Sequence, residues 1–199
     1  MGSHYHHLSR KVVVMNLIPT MWRTCRVLAN PQRRRCLQAV LRKPGRFVSE
    51  LAAEVRLPVP VASQYLRDLQ ARGMISVERR SRWTYYGDTP DLSVGHAAPL
   101  LAAMRTVLTE GTMLSKQTQR TLQGFTHPRR IAVLRVLARS EPLCISDIRR
   151  ATGISEPALL RHLRKLESCG LVQRQEDDWS IVRELPVLAQ RLLLEACGS

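Results

Sequence analysis

Displaced by 97 residues, the sequence aligns with itself. Pro31 falls on Pro128, Arg33 on Arg130, Leu37 on Leu134 and Ser49 on Ser146. Further along, Pro60 meets Pro157, Leu66-Arg67 meets Leu163-Arg164, Leu69 meets Leu166 and Gly73 meets Gly170. No gap is needed up to Val172, and apolar positions match apolar positions between the identities. Whatever this chain folds into must therefore be built twice within 199 residues, with enough chain in each copy for a core.

Each copy reads as the same series of elements. A first helix is expected near Pro19 (PTMWRTCRVLA) in copy one and near Thr112 (TMLSKQTQRTLQGF) in copy two. A second follows Asn30-Pro31 or His127-Pro128, with Cys36, Leu37, Val40 and Leu41 as its inner face in copy one. A short third helix is expected from Ser49 (SELAAEV) or Ser146 (SDIRRAT), each serine serving as N-cap with an acid just after it. Only a few residues separate it from a helix opened by Pro60 or Pro157. Proline, with φ fixed and no N–H, belongs in such a first turn. Ala62, Leu66 and Leu69 form one buried stripe, which turns Ser63, Gln64 and Arg67 outward. Gly73 is placed to end that helix in a left-handed cap.

Two helices joined by so brief a turn make a helix-turn-helix. A hairpin follows, ISVERRSRWTYYG in copy one and VQRQEDDWSIV in copy two, with the alternation expected of strands. A last helix, around Ala97–Glu110 or Leu185–Cys197, is rich in Leu and Ala on more than one face and needs covering by other helices. The expected fold is mainly α with small β-hairpins: two tandem winged helix-turn-helix domains, 12–110 and 111–199, forming an internal pseudo-dimer.

Charge narrows the partners. The chain carries 31 Lys+Arg against 16 Asp+Glu, a net charge of +15, and such an excess favours a polyanion. The excess is uneven: residues 1–99 have 16 cations and 6 acids, residues 100–199 have 15 and 10. The run from Val12 to Ile18 is too short for a membrane span and lacks the features of a secretion signal, so a cytoplasmic, nucleoid-associated protein without a membrane partner is expected. Met1–His7 (MGSHYHH) is set aside from the fold argument. Five scattered cysteines (Cys25, Cys36, Cys144, Cys169 and Cys197), none in a CxxC pair, argue against a disulfide framework or structural zinc.

LANPQRRRCL followed by VASQYLRDLQARGMISVERRSRWTYYG resembles the ArsR-type family of bacterial transcriptional regulators. Copy two repeats the likeness with THPRRIAVLRVL and SDIRRATGISEPALLRHLRKLESCGLV. The resemblance implies that the helix after the turn enters the major groove of double-stranded DNA while the wing tracks the backbone. It also implies a dimer-like interface made by first and last helices, here supplied within one chain, with further self-association left open.

On that reading Gln64 and Arg67 have the reach and donors for base edges, and Ser63 for base or phosphate. A solvated surface charge is the plainer alternative for Arg67. Arg79, Arg80 and Arg82 cluster on the first wing and suit phosphates. Copy two offers Ser155, Arg161, His162, Arg164 and Lys165. His162 matches Tyr65, so packing at the core edge competes with base contact, and Leu160 stands where copy one has Ser63. Glu156 and the wing acids Glu176, Asp177 and Asp178 depart from the basic pattern and speak against phosphate contact by the second wing.

Some family members sense metals through a cysteine-rich segment at the third helix. The matching stretches here, GRFVSELA and PLCISDIR, hold one cysteine between them, Cys144, which is too few for a chelate. A second family site, on the last helix, finds only Asp91 and His96 in copy one. No metal or other cofactor is expected. No phosphate-binding glycine loop, HExxH or GxSxG occurs, so no enzyme is expected. A tandem winged-helix scaffold of a chromosome-associated complex and a plasmid-type replication initiator are the alternatives to a regulator.

Overall fold

The second helix of each copy is opened by a side chain that stands just before a proline. Asn30 Oδ1 accepts from the backbone N–H groups of Gln32 and Arg33 at 2.9 and 3.1 Å, and His127 Nδ1 accepts from that of Arg129 at 3.1 Å. The computed structural model describes residues 20–140 and 142–198. The start of the first domain at residue 12, the Val12–Ile18 run and Pro19 lie outside the described residues.

Copy one comprises α1 (Met21–Leu28), α2 (Pro31–Arg42), β1 (Arg46–Phe47), α3 (Val48–Val55), α4 (Val59–Gln70), β2 (Ser76–Arg80), β3 (Trp83–Gly87) and α5 (Ala97–Thr109). Copy two repeats the order with α6 (Lys116–Gly124), α7 (Pro128–Leu137), β4 (Leu143–Cys144), α8 (Ile145–Thr152), α9 (Glu156–Ser168), β5 (Val172–Gln175), β6 (Asp178–Ile181) and α10 (Val187–Gly198). Each hairpin gains a two-residue third strand, giving antiparallel sheets ordered β1-β3-β2 and β4-β6-β5. Strands that short carry too little alternation to be read from sequence.

Three expectations need correction. Ser49 and Ser146 lie one residue inside their helices; the N-cap positions belong to Phe47 and Cys144, where the β1 and β4 strands end. Glu50 reaches back to accept from the Phe47 N–H at 3.2 Å, half of a capping box without a capping serine. The first helix of copy two starts later than Thr112, after Ser115 Oγ accepts from Thr118 N–H at 3.0 Å. Elsewhere local chemistry wins as expected. Gly73 has φ of +70°, and a Cβ there would stand 3.1 to 3.2 Å from those of Ala97, Val94 and Asp91. In the helix-turn-helix of copy two, Gly153 takes φ of +66°; copy one forces Arg56 into the same region, at +56°.

The buried stripe of α4 is Ala62, Leu66 and Leu69, each fully buried, and α9 repeats it with Ala158, Leu159, Leu163 and Leu166. The two cores are continuous. Helix α5 packs on α10, and α1 packs on α6. Leu100, Leu101, Met104 and Val107 of α5 and Leu188, Leu192 and Ala196 of α10 are removed from water in the process. Burying each leucine is worth roughly 1.5–3 kcal/mol, which is why two apolar last helices in one chain cover each other.

One charged side chain sits in this junction. Arg34 of α2 is fully buried; its Nη1 donates to Leu28 O at 2.8 Å and its Nε crosses to Met113 O of copy two at 3.0 Å. Nη2 adds a longer contact to Gln119 Oε1 at 3.4 Å. At the matching position copy two has Ile131. Among the described residues no helix is long and apolar enough to cross a membrane.

Candidate nucleic-acid interface

The outward face of α4 is organised by an acid. Arg33 of α2 pairs with Asp68 Oδ2 at 2.6 Å; the other carboxylate oxygen of Asp68 accepts from Gln64 Nε2 at 2.9 Å. Gln64 Oε1 in turn accepts from Arg67 Nη2 at 3.1 Å. Arg33 also lies 5.2 Å over the Tyr65 ring. This chain runs from the body of the domain to its surface, where Gln64 and Arg67 are exposed. It orients the Gln64 amide and the Arg67 fork before any partner arrives. Ser63 is half-buried and less available. Asp68 was not singled out from the sequence, although its spacing of four from Gln64 on a helix is a readable signal.

The wing of copy one presents Arg79, Arg80 and Arg82, all exposed. They are not equivalent. Arg80 donates from Nε and Nη2 to both carboxylate oxygens of Glu78, at 2.7 and 2.8 Å, and lies 5.5 Å over Tyr85. That pairing holds the Glu78 carboxyl below the usual carboxylate range. Residues two apart on a strand share a face, so Glu78 could be read as a neighbour of Arg80. Arg82 stacks over Trp83 at 5.3 Å. Among the described residues Arg79 and Arg82 have no ion-pair partner.

Copy two distributes charge differently. Arg161, Arg164 and Lys165 are exposed on α9, and Lys165 occupies the place of Asp68. Lys165 Nζ makes a long contact with Gln123 Oε1 at 3.5 Å. Arg130, the counterpart of Arg33, turns inward to the carbonyls of Gly124 and Gln123 and to Thr126 Oγ1. Ser155 stands exposed at the N-cap of α9 without a capping hydrogen bond from its side chain. His162 is half-buried and stacks on His127, ring centroids 4.8 Å apart. Burial holds both imidazoles below the ordinary histidine pKa, and neighbouring arginines push the same way. Leu160 is half-buried too. In the second wing Asp177 pairs with Arg174 at 2.9 Å, Arg174 Nε donates to Glu176 O, and Glu176 takes φ of +54° at the turn.

The residues weighed as metal ligands are engaged otherwise. His96 Nε2 shares a hydrogen bond with Thr24 Oγ1 at 2.8 Å, and Asp91 Oδ1 accepts from Ser93. Cys144 Sγ lies 2.9 Å from Ser146 Oγ and 3.1 Å from Asp147 Oδ2. Burial pushes the Cys25 thiol up to about 12 and that of Cys36 to about 11, so neither offers a thiolate at neutral pH.

The sequence profile described as "Bacterial regulatory protein, arsR family" matches residues 30–77 and again 127–174. Each match runs from the N-cap of α2 or α7 into the wing, so it contains the helix-turn-helix of its copy. The chain is also similar to the HTH-type transcriptional regulator YgaV of Escherichia coli (strain K12), 30% identical over 63 residues. That alignment covers 32% of this chain and 64% of the relative, less than two thirds of its length. Two matches on two structurally repeated helix-turn-helix units show that the chain carries the arsR-family helix-turn-helix as two tandem copies in a single polypeptide.

Proposed function

We propose that the chain is a transcriptional regulator that binds double-stranded DNA sequence-specifically in the bacterial cytoplasm, with 12–110 and 111–199 as its two winged-helix units. The observation that carries this reading is the Arg33–Asp68–Gln64–Arg67 chain on α4. Two side chains suited to adenine and guanine edges are exposed, mutually hydrogen-bonded and held by a buried-side anchor. Arg79 and Arg82 flank them and supply cations for the backbone. In copy two the exposed cations of α9, none of them ion-paired with an acid among the described residues, suit phosphate contact better than base reading. The packing of α5 on α10 and α1 on α6 supports an internal pseudo-dimer in place of the two-chain assembly that the family uses. Its YgaV relative is named a transcriptional regulator, in line with this role.

The test is selection of bound duplexes from a random pool, followed by competition between the selected site and unrelated duplex. A regulator prefers its site by about a thousandfold or more. Equal competition by both duplexes would move the scaffold reading ahead.

A further inference from the structure

Beside α1 lies a cavity of about 470 Å³ whose lining comprises Trp22, Arg23, Arg26, Val27, Arg33 and Arg72. Four of the six are arginines. Among the described residues the one carboxylate paired with any of them is Asp68, on Arg33. The Nε atoms of Arg33 and Arg72 are buried and have no hydrogen-bond partner among the described residues. A buried guanidinium N–H left unmade is costly, and four like charges round one cavity repel. The repulsion is relieved by one kind of occupant, an anion with several acceptor oxygens; the two closed-off Nε groups gain from it through charge alone.

The guanidinium groups are also held in place. Arg23 and Arg26 lie 5.0 and 5.7 Å over the Trp22 ring, and Arg33 lies over Tyr65. Stacking of this kind fixes the planar forks that match phosphoryl oxygens in pairs. The duplication provides an internal comparison. In copy two Gln119, Gln123 and Cys169 stand at the places of Trp22, Arg26 and Arg72; Arg120 keeps the place of Arg23 without the tryptophan, and Arg130 spends its donors on its own domain. A cluster that merely came with the fold would be present twice.

We propose that this cavity is a binding site for a free phosphorylated ligand carrying two or more phosphoryl groups. Its connection to the rest of the molecule runs through Arg33. A phosphoryl group on Arg33 competes with Asp68, and Asp68 holds Gln64 and, through it, Arg67. The ligand is thereby an effector of the α4 face; this last step rests on the DNA-binding reading, whereas occupancy of the cavity does not.

The probe is inorganic tripolyphosphate, titrated calorimetrically into the full chain without DNA, with tryptophan fluorescence as a second readout. One ligand per chain and a change in Trp22 emission are expected; Trp22→Phe removes most of the emission change. Arg26→Gln/Arg72→Gln weakens binding by about tenfold or more. Arg120→Gln/Arg191→Gln, with the same loss of charge elsewhere, changes it by less than about twofold. Asp68→Ala tightens binding by freeing Arg33, and Glu110→Ala, the same charge change at a distance, does not. Equal losses in the two double variants would reduce the site to general attraction for a basic protein and overturn it. So would absent binding by the parent chain; a weakened DNA salt dependence in Arg26→Gln/Arg72→Gln beside it would assign these cations to the DNA backbone. Failure to find a preferred DNA site would leave the tripolyphosphate result standing and would remove only the link to α4.

Discussion

The two copies solve the same surface problem with opposite charge placement. In copy one the outward face of α4 is balanced, Asp68 bridging Arg33 and Gln64, and the cations without an ion-pair partner sit on the wing. In copy two α9 holds Arg161, Arg164 and Lys165, none of them ion-paired among the described residues with its acids Glu156 and Glu167, and the wing carries Glu176, Asp177 and Asp178. An acid on a recognition helix weakens attraction to phosphate but fixes the geometry of the donors around it. Cations without such a partner keep the attraction and lose the fixed geometry. Specificity and affinity are thus separable, and a duplicated chain is free to put them on different copies.

The comparison can be broken at its junction first. Arg34→Ile gives copy one the residue that copy two has there. It leaves the carbonyls of Leu28 and Met113 without their donor. A loss of about 2–4 kcal/mol is expected in denaturant unfolding. An unchanged midpoint would mean that the copies do not depend on this bridge.

Next comes the reading face. Arg67→Ala should cost roughly 1–3 kcal/mol on the selected duplex and far less on unrelated DNA. The equivalent Arg164→Ala should cost the same on both, since its neighbours do not orient it. Equal behaviour of the two variants in anisotropy titrations would erase the proposed division of labour.

The wings give a smaller effect. Arg79→Ala/Arg80→Ala/Arg82→Ala should flatten the dependence of log K on log salt by about two to three units. Within that sum Arg80 should contribute least, because Glu78 already holds its fork. Replacing Glu176, Asp177 and Asp178 with Ala should leave binding unchanged or strengthen it modestly. A parent slope retained by the arginine variant would show that the first wing does not contact the backbone.

The smallest effect concerns the stacked histidines. Burial lowers the folded-state pKa of His127 and His162, so the folded protein binds protons less readily than the unfolded chain. Their contribution to stability is complete above the ordinary histidine pKa of about 6.5 and is lost as pH falls through the depressed values. The thermal midpoint should fall between neutral pH and about pH 5, and His162→Tyr, which installs copy one's residue, should shrink that fall. An identical pH profile in the variant would place the titration elsewhere.

The Ala62–Leu66–Leu69 stripe, the proline-opened helices and the glycine at position 73 were legible because each depends on neighbours within one or two turns of chain. So was the outward placement of Gln64 and Arg67. The exchange of Ser49 for Phe47 as N-cap was not, because it follows from β1 pairing with β3, a contact across some forty residues. The wing falls on the legible side: its three arginines and the Glu78–Arg80 spacing on one strand face are both local, and the structure adds that the pair closes with two hydrogen bonds.

The 97-residue repeat by itself determined that this molecule is two helix-turn-helix units, because hydrophobic period and turn chemistry are local and were written twice. That the copies differ in charge was also visible there; only the tertiary structure decided which side chains each copy pairs and which it leaves unpaired. Arg33 and Arg130 are the same residue at the same place in the register, yet one reaches outward to Asp68 and the other folds back onto Gly124, Gln123 and Thr126. A long, flexible side chain goes where acceptors lie: Arg33 finds Asp68 on α4, whereas copy two has Lys165 at that place and Arg130 turns to acceptors within its own stretch of chain.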